Sequence, residues 1–267
     1  MTDPTQKELE AGRGYEALFV PALFAPWTHH VIAGAGITDT SHVLDVACGT
    51  GVLTRDVYAL CGTSGRVVGL DPAPGMLATA REIAPQIEWV AGQAEDLPFA
   101  QAEFDSVISQ FGMMFFRDLA AAAQEMHRVT KPGGTLSVAV WDSVEKNPAY
   151  AEVVRILKET ISSEAADAVR LPFCMGDPVS VTNPLSEAGY DQVSVATRTE
   201  TARFQNPRTI VEGELRGWLP LFGIHLDEQT IEAVLDISDS RLFKYRRASG
   251  QAEFPATAHI VTARKPQ

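Results

Sequence analysis

The sequence is poor in cysteine and in positive charge, and both shortages exclude classes of protein. Its 267 residues include three cysteines, Cys48, Cys61 and Cys174, with no Cys-x-x-Cys spacing. A sparse, odd set predicts neither a disulfide framework nor a zinc site, and it suits a reducing cytoplasm. Lysine and arginine total 22 against 34 acidic residues, a formal net charge of −12. Because an acidic chain repels phosphate backbones, we expect no nucleic-acid partner.

Long apolar runs are also absent, which argues against a membrane span. The longest run, residues 18–27, is interrupted by Pro21 and Pro26 and is too short to cross a bilayer. No basic segment precedes an apolar core at the N-terminus, so no signal peptide is predicted. The 45% hydrophobic content is typical of a globular chain. We therefore expect one cytoplasmic domain over residues 1–267, with a monomer and a homodimer both left open.

The first half of the chain alternates strand and helix patterns. Short apolar runs ending at turn residues predict buried strands at 42–46, 66–70, 87–91, 104–109 and 135–141. Helical spacing fills 51–60, 74–84 and 118–129. This rhythm implies right-handed crossovers and a doubly wound, mainly parallel sheet, which is an α/β fold.

The second half of the chain is less regular. Residues 192–204 alternate apolar and polar, which predicts an antiparallel strand, and 259–263 form a last strand. The expected sheet then has seven strands, one of them antiparallel. A core at 41–141 is flanked by three mainly helical cover segments, at 1–40, 142–175 and 206–250.

The first motif is a glycine-rich turn between the first strand and its helix, Val43 to Gly51. Such a turn lets a ligand approach the backbone closely. It is not the dinucleotide pattern G-x-G-x-x-G, because Thr54 stands at the third glycine position, and it lacks the Lys-Ser/Thr of a P-loop. A merely tight turn would explain the glycines but not Asp45.

The next three motifs follow the second, third and fourth strands. Asp71 ends the second strand 20 residues after Gly51, where its carboxylate can accept both hydroxyls of a ribose. Gln93 follows the third strand and offers an amide to the edge of a base. The apolar loop 109–116 follows the fourth strand, where it lines a pocket or simply completes the core.

These four motifs, with the segment 128–134 before the fifth strand, resemble class I S-adenosylmethionine-dependent methyltransferases. The nearest branch is the ubiquinone/menaquinone biosynthesis C-methyltransferase type, also called methyltransferase type 11. The resemblance covers about residues 13–141. It implies a Rossmann-like methyltransferase fold, S-adenosyl-L-methionine as cofactor, and a small-molecule methyl acceptor. The methylated atom, whether N, O or C, stays open.

The resemblance also implies twelve cofactor contacts. Those along the methionine and ribose are Tyr15, Asp45, Ala47, Gly49, Gly51 and Asp71. Those around the adenine and after the fourth strand are Met76, Gln93, Ala94, Ser109, Gln110 and Phe111. Two positions depart from the family, because Ala47 replaces a common glycine and Gln93 replaces a common aspartate.

No catalytic base and no metal site can be assigned from the sequence. The histidines outside predicted strands, His29, His30, His127 and His225, are interpreted as structural. Two alternatives to a methyltransferase stay open. One is an NAD-dependent oxidoreductase on a similar fold, and the other is a non-catalytic S-adenosylmethionine-binding subunit.

The acceptor and the N-terminal segment give two further hypotheses. A set of apolar residues predicts an aromatic natural product or quinone-like acceptor, although the same set also suits plain core: Phe111, Met113, Met114, Phe115, Phe116, Trp218 and Phe222. The segment 15–30 is aromatic and contains two prolines. It is either a lid that closes over the methionine end or a fixed helix pair of the core.

Overall fold

A seven-stranded sheet forms the centre of the molecule. The computed structural model describes residues 4–267, so the first three residues of the predicted 1–40 cover lie outside the described part. The strands are β1 (His42–Val46), β2 (Arg66–Asp71), β3 (Glu88–Ala91), β4 (Phe104–Gln110), β5 (Thr130–Trp141), β6 (Asp191–Phe204) and β7 (Ala252–Arg264). Their order is β3-β2-β1-β4-β5-β7-β6, which confirms the doubly wound α/β fold.

Ten α-helices of the described chain surround this sheet. They are α1 (Gln6–Phe19), α2 (Thr28–Ala35), α3 (Val52–Cys61), α4 (Pro74–Ile83), α5 (Leu119–Val129), α6 (Pro148–Thr160), α7 (Ser163–Arg170), α8 (Val179–Glu187), α9 (Pro207–Gly213) and α10 (Glu228–Arg241). Local chemistry sets several of their starts. Pro74 opens α4, where its missing N–H costs little, and the Asp118 carboxylate accepts from the Ala121 N–H at 3.0 Å to cap α5.

The antiparallel part of the sheet differs from the sequence expectation in one respect. The reversed strand is β7, which pairs antiparallel with both β5 and β6, so β6 itself runs parallel to β1–β5. β7 is also longer than the predicted 259–263, because the whole length of β6 pairs with it from Phe204–Ala252 to Asp191–Arg264. An isolated alternating pattern predicts pairing but not direction, which is decided by the neighbouring strand.

The N-terminal segment is one continuous helical path from Gln6 to Ala35, although prolines interrupt its apolar run. Pro21 lies at the start of a π-helical turn (Val20–Phe24) and Pro26 in a 3₁₀ turn (Ala25–Trp27). The chain therefore changes helix type at the prolines instead of ending. Among residues 4–267 this path alone has the length and apolar composition of a membrane span, because the helix extends beyond the apolar run 18–27 on both sides. Trp27 and Val31 are nevertheless fully buried within the apolar core.

Candidate active site

A cavity of about 330 Å³ opens at the carboxyl ends of the parallel strands. Ten of the twelve expected cofactor residues line it: Tyr15, Asp45, Ala47, Gly49, Asp71, Met76, Gln93, Ala94, Gln110 and Phe111. We call it the first cavity. Ligands of doubly wound sheets bind at this edge, near the point where the strand order reverses. Here that point is β1, which lies between β2 and β4.

Asp45 lies next to the last residue of β1, in the wall of the first cavity, and is almost fully buried. Its Oδ2 accepts a hydrogen bond from the Thr54 hydroxyl at 2.6 Å, while its Oδ1 has no partner. Burial raises the pKa of this carboxyl to about 7, and the nearby Asp71 adds to the rise, whereas the Thr54 hydrogen bond opposes it. Thr54, the residue that breaks the dinucleotide pattern, therefore holds the acid in place.

The turn after β1 uses left-handed backbone at the position of the family departure. Ala47 has φ +59°, a conformation that glycine adopts without strain and alanine does not. This explains why glycine is common at that position. Gly51 is not in the cavity wall. Both its left-handed backbone (φ +86°) and its packing require glycine, because an added Cβ would lie 2.2 Å from the Trp89 ring.

Asp71 ties the first two motifs together. Its Oδ2 accepts from the Gly49 N–H and its Oδ1 from the Ala73 N–H, both at 2.8 Å. Burial raises its pKa, and these two hydrogen bonds oppose the rise. Each carboxylate oxygen can accept more than one hydrogen bond, so Asp71 can still bind a pair of hydroxyls.

The end of β4 supplies the far wall of the first cavity. The Gln110 Nε2 donates to the Phe24 carbonyl at 3.1 Å, which leaves its buried Oε1 without a partner. Phe111 stacks on Trp141 with ring centroids 3.8 Å apart. Ser109 is fully buried behind these residues, is absent from the wall, and has an unpartnered hydroxyl.

Tyr15 is positioned by close packing between α1 and α4. A Cβ added at Gly12 would lie 2.6 Å from the Gly75 carbonyl oxygen, so the two helices touch where they cross. The Arg13–Glu82 ion pair, at 2.7 Å, also joins them. Tyr15 then stacks on Phe24, with ring centroids 5.3 Å apart. Its ring lies in the walls of the first cavity and of a second one.

The second cavity has a volume of about 410 Å³ and adjoins the first. Six residues line both: Tyr15, Phe24, Met76, Phe111, Phe115 and Trp218. The rest of its wall is largely apolar and comes mainly from α1, the first turn of α6 and the helical segments around α9. Leu221 is part of this wall and is 71% exposed, so it marks the mouth.

Two buried polar residues in the second cavity carry no sequence motif. Glu214 begins a π-helical turn (Glu214–Trp218), and burial raises its pKa to about 8. Tyr150 on α6 lies near it, and the interaction between the two groups lowers the Glu214 pKa and raises that of Tyr150. The sequence offers no signal for Glu214, because Glu212 stands two residues away and only packing distinguishes the two acids.

The apolar set predicted for the acceptor divides between the cavities and the core. Phe111, Phe115 and Trp218 line the second cavity, and Phe116 lines the first. Met113 and Met114 belong to the buried core, and Phe222 packs on Trp218 outside both walls. None of the chain's six histidines, all within the described residues, lines either cavity.

Comparison with known proteins identifies the family. A family model described as a methyltransferase domain matches residues 43–134. The ubiquinone/menaquinone biosynthesis C-methyltransferase UbiE of Proteus mirabilis is 31% identical over 192 residues, covering 65% of this chain and 75% of the relative. A demethylmenaquinone methyltransferase of Chlorobaculum parvum is 38% identical over 124 residues, covering 46% of this chain and 50% of the relative. The chain belongs to the class I S-adenosylmethionine-dependent methyltransferases of the UbiE type.

Solved structures agree on the fold. A phosphoethanolamine N-methyltransferase of Haemonchus contortus in complex with S-adenosyl-L-methionine has a TM-score of 0.60 at 17% identity, covering 98% of this chain and 58% of that one. The YcgJ protein of Bacillus subtilis has a TM-score of 0.55 at 15% identity, covering 90% of this chain and 98% of that one. The family assignment settles the cofactor as S-adenosylmethionine and removes the NAD-dependent oxidoreductase from consideration.

The first cavity fits this cofactor by its own chemistry. S-adenosylmethionine carries a cationic ammonium group, a ribose diol and an adenine. The unpartnered Oδ1 of Asp45 is a buried acceptor that an ammonium would satisfy. A buried carboxylate oxygen left without a partner is costly, so its presence in the wall favours a cationic ligand there.

Proposed function

We propose that this methyltransferase acts on a small aromatic, quinone-like acceptor, and that the acceptor binds in the second cavity. The observation that carries the proposal is the continuity of the two cavities. Six residues are common to both walls, so a molecule in the second cavity lies next to the methionine end of the first. The cofactor supplies an electrophilic methyl group on a sulfonium, and the chain supplies alignment and exclusion of water.

The walls of the second cavity suit a flat apolar molecule. Tyr15, Phe24, Phe111 and Trp218 present aromatic rings at its junction with the first cavity. Aromatic walls stack on an aromatic acceptor and exclude water from the transfer. Relatives named for demethylmenaquinone and for 2-phytyl-1,4-naphthoquinone support a quinone-like ring, although this chain spans about half the length of those proteins.

We propose the same cofactor contacts that the family resemblance implies, with two adjustments. Asp71 takes the ribose hydroxyls, Asp45 faces the ammonium group, and Met76 packs on the adenine. Gln93, Ala94, Gln110, Phe111, Ala47, Gly49 and Tyr15 complete the wall. Gly51 and Ser109 are instead assigned to supporting the turn and the end of β4, because neither lines the cavity.

Partners and location are proposed on composition and fold. The net charge of −12 supports a protein without a nucleic-acid partner. A cytoplasmic enzyme fits the three free cysteines. The burial of Trp27 and Val31 favours a core role for the apolar N-terminal path, not a membrane span.

The location of the acceptor site is tested by filling the second cavity from α1. Gly14 lines that cavity, and an added Cβ there would meet no heavy atom within 4 Å, so Gly14→Phe is accommodated by the backbone. With S-adenosylhomocysteine bound, we expect the variant to bind the probe 2-methoxynaphthalene about tenfold or more weakly than wild type. Affinity for S-adenosylhomocysteine should change by less than about twofold, because Gly14 is not in the first cavity.

Ala17→Phe is the matched control. Ala17 lies on the same helix but is exposed and outside both walls. It should bind both ligands as wild type does. Equal affinity of wild type and Gly14→Phe for 2-methoxynaphthalene, or no binding by either, would remove the second cavity as the acceptor site. Fluorescence titration of the probe and calorimetry of the cofactor product are sufficient measurements.

A further inference from the structure

The second cavity contains few polar side chains, and most of them are already occupied. Asn147 is buried, its amide donates to the carbonyls of Asp142, Ser143 and Thr257, and its Oδ1 accepts from the Thr257 N–H at 2.8 Å. The polar atoms of the Asn147 side chain are therefore already hydrogen bonded to the backbone. Arg216 is bound by exposed carboxylates outside the cavity, with its Nη1 2.9 Å from Glu228. Neither residue is free to recognise a ligand.

Glu214 and Tyr150 remain as an available polar pair in the described wall. Both side chains are at least nine-tenths buried, with Glu214 at 7% and Tyr150 at 6% exposure. Both line the second cavity, and each shifts the pKa of the other. A carboxyl buried without a cation destabilises a fold, so its placement in a ligand-sized cavity indicates a functional site.

The backbone around Glu214 is also unusual. The described chain has two π-helical turns, Val20–Phe24 and Glu214–Trp218, and both contribute residues to the second cavity. π-helical turns occur frequently at functional sites because the wider turn redirects side chains. Next to it, an added Cβ at Gly213 would lie 2.7 Å from the Phe19 ring, so this turn is pressed against α1. Close packing fixes where the Glu214 side chain points.

We propose that Glu214 is the proton acceptor for an acidic hydroxyl of the methyl acceptor. The proposal rests on the acceptor site proposed above and narrows its substrates to phenols, naphthols and hydroquinones. The O–H bond of the acceptor breaks, its electron pair stays on the acceptor, and the proton goes to a carboxylate oxygen of Glu214. That electron density, on oxygen or on the conjugated ring carbon, attacks the methyl group, while the pair of the broken carbon–sulfur bond stays on sulfur.

The environment of Glu214 suits a base that works near neutral pH. Burial raises its pKa to about 8, which brings it closer to that of a phenol than an exposed carboxyl would be. The titratable groups that influence it or its partner within the described residues are Tyr150 and, through Tyr150, Tyr15. Both are neutral near pH 8, since burial raises their pKa. Glu214 must lose its proton to act, so the rate should rise with pH through about 8.

Two naphthalene probes test the role of Glu214 as a base separately from the location of the acceptor site. The probes are 2-naphthol, which has the hydroxyl, and 2-methoxynaphthalene, which lacks it. Glu214→Gln keeps the shape of the side chain but cannot take a proton. We expect this variant to bind 2-methoxynaphthalene with an affinity within about twofold of wild type. It should methylate 2-naphthol at least about a hundredfold more slowly, and its rate should no longer rise with pH. Glu214→Asp should recover part of the rate.

Glu212→Gln is the matched control, because Glu212 is two residues away but half-exposed and paired with Arg216 at 2.9 Å. It should leave rate and pH profile unchanged. Equal rates for wild type and Glu214→Gln, or an unchanged pH profile, would overturn the role of Glu214. The same holds if wild type binds both naphthalenes but methylates neither 2-naphthol nor 1,4-dihydroxynaphthalene. If wild type binds neither naphthalene, the acceptor site itself is contradicted.

Discussion

The two cavities are adjacent and differ in how they are built. The first lies at the carboxyl ends of β1, β2, β3 and β4 and takes most of its wall from four short motifs. The second takes most of its wall from segments outside those motifs, from Ala11 on α1 to Ala256 on β7. The first contains a left-handed turn and the hydrogen-bonded acids Asp45 and Asp71. The second is a mainly apolar space with a buried acid of its own.

The first cavity is lined by two buried carboxyls with raised pKa, Asp45 and Asp71, and the second by one, Glu214; the partners of Asp45 and Glu214 differ. Asp45 accepts from the Thr54 hydroxyl and keeps an oxygen free for a cation. Glu214 has Tyr150 and no cation among the groups that shift its pKa. The first arrangement favours an ionised acid that binds a positive ligand, and the second favours an acid that exchanges a proton. The contrast separates a donor site that the family resemblance implies from the acceptor site that we propose.

The largest expected effect is the contribution of Glu214 to the pH dependence of the unfolding free energy. Its pKa is raised from 4.5 to about 8 on folding, so its contribution to stability is fully present below pH 4.5 and is lost as pH rises through about 8. Glu214→Gln removes this loss. Between pH 4.5 and about 8, the unfolding free energy of wild type should fall by on the order of 4 kcal/mol more than that of the variant. Urea unfolding at several pH values measures this, with Glu212→Gln as control, and parallel curves for wild type and Glu214→Gln would contradict the assignment.

The next effect concerns Asp71 and should leave the second cavity untouched. Asp71→Ala should weaken S-adenosylhomocysteine binding by about 1.5–3 kcal/mol through loss of a charge-assisted pair of hydrogen bonds. Because the carboxylate also holds the N–H groups of Gly49 and Ala73, the variant should also unfold at a lower temperature. Asp71→Asn is the companion variant, since it keeps an oxygen for one of these N–H groups. Calorimetry on the folded variants measures the Kd for S-adenosylhomocysteine. An unchanged Kd would mean that Asp71 shapes the turn but does not bind the cofactor.

The smallest effect concerns the N-terminal segment, for which a lid and a fixed core remain alternative hypotheses. The structure divides the segment, since Gly12 is the buried residue of α1 whereas Thr28, Val31 and Ala35 of α2 are all buried. We expect amide exchange in α1 to slow when S-adenosylhomocysteine binds, and exchange in α2 to be slow in both states. Hydrogen-exchange mass spectrometry on residues 10–35 distinguishes these outcomes. Strong, equal protection of α1 with and without ligand would rule out a lid.

Much of the parallel half of the fold could be predicted because its determinants are local. An apolar run followed by a turn residue predicts β1 at His42–Val46, and the structure has the same bounds. The predicted site residues reach one cavity because parallel strands end at a common edge. Gly51 and Ser109 are the exceptions, since local sequence places them beside that edge but neither lines the cavity.

By itself the sequence determined the cofactor half of this protein: the β1 turn, the acids Asp45 and Asp71, and hence the methyltransferase family. These features depend on residues close together in the chain, whose geometry is set by strand and turn propensities. Only the tertiary structure decided the direction of β7, the continuous helix across Pro21 and Pro26, and the burial of Glu214. Burial and strand pairing depend on which distant segments pack together, and that information does not reside in any single stretch of sequence.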